Sequence, residues 1–192
     1  MTIEELENFV FNWMLKDIER EIEFTKSGYG GGNVLCALGL MSYTEFMGRL
    51  LPTNNQKNNR ETFNDFFRIL GPKYKSLLDE EKIDIYGIFR CGLVHEYFIK
   101  GDCTIAMLNS TPGEIEVKDG LKSNNKLNNE TSSMIKKPVD CGIIIAENGN
   151  FLFNIERYFD DFKNACEELF IRLKSIKEWK PPCSFSEFSD TC

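Results

Sequence analysis

The only histidine of the chain, His95, lies five residues after Arg90 and two residues before Tyr97, which gives the pattern R-x4-H-x-Y. An arginine side chain is permanently charged, and its planar guanidinium group can bind two phosphate oxygens at once. Histidine changes its protonation state near neutral pH, so it can take up or release a proton during a reaction. These two residue types together can support cleavage of an RNA backbone without a metal ion.

RNA cleavage through the 2′-hydroxyl group needs a base for the hydroxyl proton, an acid for the leaving oxygen and a positive charge near the phosphate. The single histidine of one chain cannot supply both proton-transfer roles. A symmetric homodimer would bring a second histidine to the same site. The composition therefore favours a homodimer as the catalytic unit.

The spacing within the motif leaves two chemical readings open. On a straight α-helix, Arg90 and His95 would point about 140° apart, taking about 100° per residue. A bend at Gly92, the long arginine side chain or a two-fold partner would have to close this gap. Cys91 and His95, which are four residues apart, share a helix face and could instead form the nucleophile and base of a thiol enzyme.

A purely structural role is the alternative for these residues. Arg90 could pair with a carboxylate of the helical bundle, and His95 could be a hydrogen-bonded interior histidine. Tyr97 could belong to the core, because its neighbours are apolar. Glu45 is a polar residue in an apolar helical stretch, which makes it a candidate to face the same cleft as Arg90.

The charge of the chain restricts how it could bind nucleic acid. The 192 residues carry a net charge of −7, which disfavours binding of nucleic acid over the whole surface and leaves room for a local basic cleft. Besides Arg90, the segment 118–138 is basic, because it contains five lysines against Asp119 and Glu130. We interpret this segment as a loop rather than as a nucleic-acid contact.

No metal site, cofactor or membrane segment is expected. One histidine excludes a centre with several histidine ligands, and none of the seven cysteines has the spacing of a structural zinc site. The acidic N-terminus lacks the features of a signal peptide, and no apolar stretch reaches the roughly 18 to 20 residues that span a bilayer. These features predict a cytoplasmic protein with reduced, mostly buried thiols and no contact with a membrane.

The first hundred residues have helical patterns. A capping box of Thr2 and Glu5 begins a helix that we expect to end near Ser27. The glycine run 28–32 lacks the G-K-[ST] ending of a phosphate loop and is interpreted as a connection between helices. Further helices are expected at 34–51, 61–70 and 74–100, the last one interrupted near residues 78–79 and closed by Gly101. Small residues of the second helix would permit close helix packing, namely Ala37, Gly39 and Gly48.

The pattern changes to short strands after residue 102. Strands are expected at 104–108, 114–118, 142–146 and 151–155, with a hairpin turn at 147–150 and a loop at 119–138. The last helix has a seam of apolar residues in alternating steps of four and three, which would pack along other helices or along a second copy. Its members are Ile155, Phe159, Phe162, Cys166, Leu169, Leu173 and Ile176.

These elements predict a mainly α protein. It is expected to be a bundle of four to five helices, with a small antiparallel β-sheet inserted before the last long helix. A single domain would cover residues 1–180, with the β insertion at about 102–155. Residues 181–192, which begin with two prolines, would form a C-terminal tail.

The R-x4-H-x-Y motif near the end of a helical bundle resembles the HEPN (higher eukaryotes and prokaryotes nucleotide-binding) superfamily. The added tyrosine is most similar to HEPN toxins that pair with minimal nucleotidyltransferase antitoxins. The resemblance implies a helical dimer with two motifs in one cleft and metal-independent endoribonuclease activity. It also implies that Arg90 and His95 are the catalytic residues and that Tyr97 is the tyrosine that the antitoxin modifies with AMP.

The resemblance covers about 120 of the 192 residues and leaves out the insertion at about 102–155. Cys91 is a departure, because many family members carry Asn, Asp or His directly after the arginine. The expected function is therefore that of a HEPN-type endoribonuclease, as a toxin or defence component. The alternative is a non-catalytic HEPN-like binding or scaffold protein that acts through dimer or partner contacts.

Overall fold

The computed structural model describes residues 1–29, 32–52, 57–107, 115–116, 134–135, 140–146, 149–177 and 179. They form a mainly helical bundle, and a small three-stranded sheet precedes the last long helix along the chain. The predicted fold class is thus confirmed. Within the described ranges, no helix is long and apolar enough to cross a membrane.

The chain begins with continuous helical turns that alternate between α and π geometry. They are α1 (Ile3–Phe9), a short π-helix (Val10–Met14), α2 (Leu15–Phe24) and a second short π-helix (Thr25–Tyr29). The predicted capping box begins this run. The backbone N–H of Glu5 donates to Thr2 Oγ1 at 3.2 Å, and the backbone N–H of Thr2 donates to Glu5 Oε2 at 2.7 Å. The long first helix is confirmed and extends two residues beyond Ser27.

Three helices follow, and the first two of them carry residues of the candidate site described below. They are α3 (Asn33–Arg49), α4 (Asn59–Ile69) and α5 (Pro72–Asp79). The predicted second and third helices are confirmed to within two residues at each end. Asn58 caps α4, because its side chain accepts a hydrogen bond from the backbone N–H of Glu61 at 3.0 Å.

The predicted interruption of the segment 74–100 near residues 78–79 is confirmed, and it separates two helices. The chain leaves helical geometry after Asp79, and Lys82 has a φ of 57°. A separate π-helix, which we call the motif helix, spans Tyr86–Glu96. It ends at Tyr97, whose φ of 59° is left-handed, so the predicted stop at Gly101 is wrong.

The sheet is mixed rather than entirely antiparallel. Its strands are β1 (Cys103–Ala106), β4 (Ile143–Ile145) and β5 (Phe151–Asn154), in the order β1-β5-β4. β4 and β5 pair antiparallel, but β1 and β5 pair parallel. The chain between β1 and β5 is long enough to return to the edge where β1 begins, which a parallel pair requires.

A separate two-stranded pair consists of β2 (Ile115–Glu116) and β3 (Met134–Ile135). β2 lies within the predicted strand 114–118. β3 lies within the segment 119–138 that was predicted as a loop, so that prediction is wrong at these two residues. The rest of 119–138, residues 147–148 of the hairpin turn and the tail at 181–192 lie outside the described residues.

The last helix, α6 (Ile155–Ser175), packs with its predicted seam against α1 and α3 of the same chain. The six seam residues within α6 are buried, whereas Ile176 lies after the helix and is partly exposed. Because the seam is covered by the chain's own helices, it is not available to pair with a second copy.

Cys166, together with Cys36 and Cys141, is buried as expected for structural thiols, and burial raises the pKa of Cys36 to about 11.

α3 and α4 approach each other closely at Gly48. A Cβ atom added there would lie 2.0 Å from the carbonyl oxygen of Thr62 and 2.8 Å from its carbonyl carbon. A Cβ atom at Gly39 would instead meet the flexible tip of Ile18, at 2.7 Å from Cδ1. Both glycines serve helix packing as predicted, but only Gly48 faces rigid backbone.

We expect Gly48→Ala to lower the free energy of unfolding by about 1–3 kcal/mol, since the methyl group would push α4 away from α3. Gly39→Ala is the matched control on the same helix. Its side-chain clash can relax, and alanine is favoured over glycine in a helix by about 1 kcal/mol. Urea denaturation followed by circular dichroism compares the two variants. Equal effects would contradict a backbone contact specific to Gly48.

Candidate functional site

The motif helix has a geometry that the sequence did not predict. Its backbone hydrogen bonds join residues five apart, as in other π-helices. A turn of a π-helix therefore holds more residues than a turn of an α-helix, in which positions five apart would point about 140° apart. Arg90 and His95 are separated by five positions. The π geometry reduces the angle between these two positions without a bend at Gly92.

Arg90 is anchored by a carboxylate of α3. Its Nε atom lies 2.7 Å from Oε2 of Glu45, and both side chains are largely buried. Among the described residues, neither of these two atoms has a hydrogen-bond partner, so their contact is an ion pair without a hydrogen bond. Arg49 donates to the other oxygen of Glu45 at 3.1 Å. Glu45 is thus shared by two guanidinium groups.

A second contact of Arg90 is with the ring of Tyr86 on the motif helix, which Arg60 of α4 also contacts. The guanidinium carbon atoms of Arg60 and Arg90 lie 5.1 Å and 5.6 Å from the ring centroid of Tyr86, within the range of cation–π contacts. Arg60 also pairs with Asp84. Burial raises the pKa of Tyr86, although the charge of Arg90 acts in the opposite direction, so the phenol is neutral at physiological pH.

His95 and Tyr97 are in solvent rather than in the core. The side chain of His95 is exposed and makes no hydrogen bond or ion pair with the described part of the chain. Tyr97 is 56% exposed. The interior histidine and the core tyrosine, which the sequence left open, are therefore both excluded. Next to them, Val94 and Phe98 are also exposed, the latter by 75%.

Gly92 allows the chain to turn back after the motif helix. The backbone N–H of Phe98 donates to the carbonyl of Gly92 at 3.3 Å, and that of Lys100 donates to Ile88 at 3.0 Å. A Cβ atom at Gly92 would lie 2.4 Å from the carbonyl oxygen of Phe98. This crossing requires glycine, and it fixes the turn that presents Tyr97 to solvent.

Cys91 lies close enough to Tyr86 to contribute, after burial, to the raised pKa of its phenol. Within the described residues, no hydrogen bond joins Cys91 to His95. The geometry gives no support to the nucleophile–base pair of a thiol enzyme.

The structure thus brings Arg90 and Glu45 together and leaves His95 and Tyr97 at the open end of the same helix. Sequence reasoning missed Arg49, Arg60 and Tyr86. Two of these had a local signal, because Arg49 follows Glu45 by four positions and Tyr86 precedes Arg90 by four. Arg60 had none, since its contact with Tyr86 joins residues that are far apart in the sequence.

Among the described residues, no three His, Cys, Asp or Glu side chains are grouped so that they could hold a metal ion. No protein-family model matches the chain, and neither a similar curated protein nor a similar solved structure was found.

Proposed function

We propose that this protein is a metal-independent endoribonuclease of the HEPN type that works as a homodimer, as a toxin or defence component. The observation that carries the proposal is the division of roles along the motif helix. Arg90 is held in place by Glu45 and Tyr86, while His95, five positions further along the π-helix, is exposed. A fixed positive charge beside an accessible proton carrier is what cleavage of a phosphodiester requires.

In this mechanism, Arg90 stabilises the negative charge that builds up on the phosphate during the reaction. Its Nε atom faces Glu45, and its terminal nitrogens donate no hydrogen bond within the described residues, so they can bind phosphate oxygens. His95 removes the proton of the 2′-hydroxyl group. The second chain of the dimer supplies the other histidine, which protonates the leaving oxygen.

A non-catalytic binding or scaffold protein is the second candidate, and two observations favour it. The charge of Arg90 is already balanced by Glu45 within the chain. The apolar side chains of Val94, Tyr97 and Phe98 are exposed together around His95, as at sites that bind another macromolecule. Under this reading, RNA or a partner protein would bind here without being cleaved.

We expect His95→Ala to reduce RNA cleavage in EDTA at least 100-fold, since proton transfer by a positioned side chain contributes about 10² to 10⁴ in rate. Glu96→Ala is the matched control. Glu96 is the next residue on the helix, is exposed and, within the described part of the chain, pairs with Lys100 alone, at 3.0 Å. Cleavage of a labelled single-stranded RNA is measured alongside far-ultraviolet circular dichroism. An unchanged rate would overturn the proposal, and RNA binding without cleavage in the wild type would favour the scaffold.

Substitutions in the pair of Arg90 and Glu45 should affect the stability of the protein and its RNA cleavage differently. Arg90→Ala leaves the buried Glu45 with Arg49 alone, which we expect to lower the free energy of unfolding by about 1–3 kcal/mol. The double variant Arg90→Ala, Glu45→Gln removes the buried charge and should recover much of that loss. RNA cleavage should be lost in both variants. Recovered cleavage in the double variant would show that Arg90 acts only through stability.

We propose that a minimal nucleotidyltransferase antitoxin regulates the enzyme by transferring AMP to Tyr97. The transfer joins the phenol oxygen to the α-phosphate of ATP and releases pyrophosphate. The exposed side chain of Tyr97 supports this, since an incoming enzyme can reach it, whereas Tyr74 and Tyr158 are buried. Mass spectrometry after incubation with such an enzyme and ATP should find AMP on Tyr97 and none on a Tyr97→Phe variant. AMP absent from Tyr97 would contradict this regulation.

A further inference from the structure

We infer that Arg49 and Arg60 extend the site of Arg90 into a track that binds the RNA backbone next to the cleaved phosphate. This inference rests on the proposed function, and it assigns these two arginines to substrate binding and not to the chemical step. The ligand would be a single strand of RNA, bound through its phosphate groups.

Three structural elements bring the three arginines together. Arg49 comes from the last turn of α3, Arg60 from the first turn of α4 and Arg90 from the motif helix. Glu45 connects Arg49 to Arg90 through its two oxygens, at 3.1 Å and 2.7 Å. The ring of Tyr86 connects Arg90 to Arg60 at 5.6 Å and 5.1 Å. The three guanidinium groups are thus linked in series, in the order Arg49, Arg90 and Arg60, through one carboxylate and one aromatic ring. We call these five side chains and Asp84, the partner of Arg60, the arginine row.

The charge of this row is opposite to that of the whole chain. Three arginines against Glu45 and Asp84 give +1, so the other residues of a chain with a net charge of −7 sum to −8. An acidic protein that binds RNA needs such a local excess of positive charge. Arg60 and Asp84 face each other in solvent, where an ion pair is weak enough for a phosphate to replace the carboxylate.

The side chains of Arg49 and Arg60 are accessible as well as anchored. They are 46% and 49% exposed, whereas that of Arg90 is 17% exposed. Arg49 is also fixed by a hydrogen bond to Asn59 Oδ1 at 3.0 Å. Asp84 is held by a hydrogen bond from the backbone N–H of Gly87 at 2.9 Å, so it would keep its place when Arg60 turns to a phosphate. The exposed pair would bind substrate, and the buried arginine would act on the reacting group.

The test measures binding of a labelled, mixed-sequence single-stranded RNA in a His95→Ala background, where the RNA stays intact. Arg49→Gln and Arg60→Gln are each expected to weaken binding about tenfold, because hydrogen bonds to charged groups are lost. Each should also reduce the slope of log affinity against log salt by about 0.7, the value for one phosphate contact on a single strand. In the catalytic background, KM should rise while kcat stays within about twofold.

Arg20→Gln and Arg172→Gln are matched controls. These arginines lie on α2 and α6, and each pairs with a carboxylate in solvent, at 2.9 Å and 3.4 Å. They should leave the affinity and the salt slope unchanged. Arg49→Lys and Arg60→Lys keep the charge and should restore the slope, which separates lost binding from misfolding.

The outcomes distinguish this inference from the proposed function. If the double variant Arg49→Gln, Arg60→Gln binds RNA as strongly as the wild type, the inferred track is wrong and the proposed nuclease activity is unaffected. If RNA binding needs both arginines but the wild type does not cleave RNA, the proposed nuclease activity is wrong and the inferred track is unaffected. A wild-type protein that does not bind RNA overturns both.

Discussion

The site depends on one buried carboxylate. A charge that is removed from water costs free energy unless cations surround it, and Glu45 is almost completely buried in the middle of the bundle. It therefore holds Arg49 of its own helix and Arg90 of the motif helix, which ties α3 to a segment more than forty residues later. The cationic groups that could bind a phosphate are thus held in place by the folded core.

The π geometry of the motif helix is the second constraint. An α-helix through the same residues would leave Arg90 and His95 about 140° apart, whereas hydrogen bonds between residues five apart reduce this angle. A π-helix has poorer backbone packing than an α-helix and is frequently found at functional sites. Here the return of the chain over Gly92, with its bonds from Phe98 and Lys100, stabilises the end of the helix.

Features based on local spacing could be predicted from the sequence. Neighbouring residues are enough to predict the capping box of Thr2 and Glu5, the seam of α6 and the separation of the helices predicted at 34–51 and 61–70. Glu45 could be predicted as a site residue because it is a carboxylate in an apolar helix. Features that depend on distant contacts could not be predicted. The parallel pairing of β1 with β5, the π geometry and the contact of Arg60 with Tyr86 arise from tertiary packing, which no short pattern encodes.

In the proposed nuclease, the difference between the fixed Arg90 and the exposed His95 explains why a second chain is needed. A catalytic imidazole needs a partner that sets its orientation, and the described residues of one chain supply none for His95. The substrate or a second copy would have to supply it. The same surface carries Val94, Tyr97 and Phe98, whose apolar area favours contact with another molecule. In the proposed nuclease, one chain holds Arg90 in place, and the orientation of His95 has to come from the substrate or from a second copy.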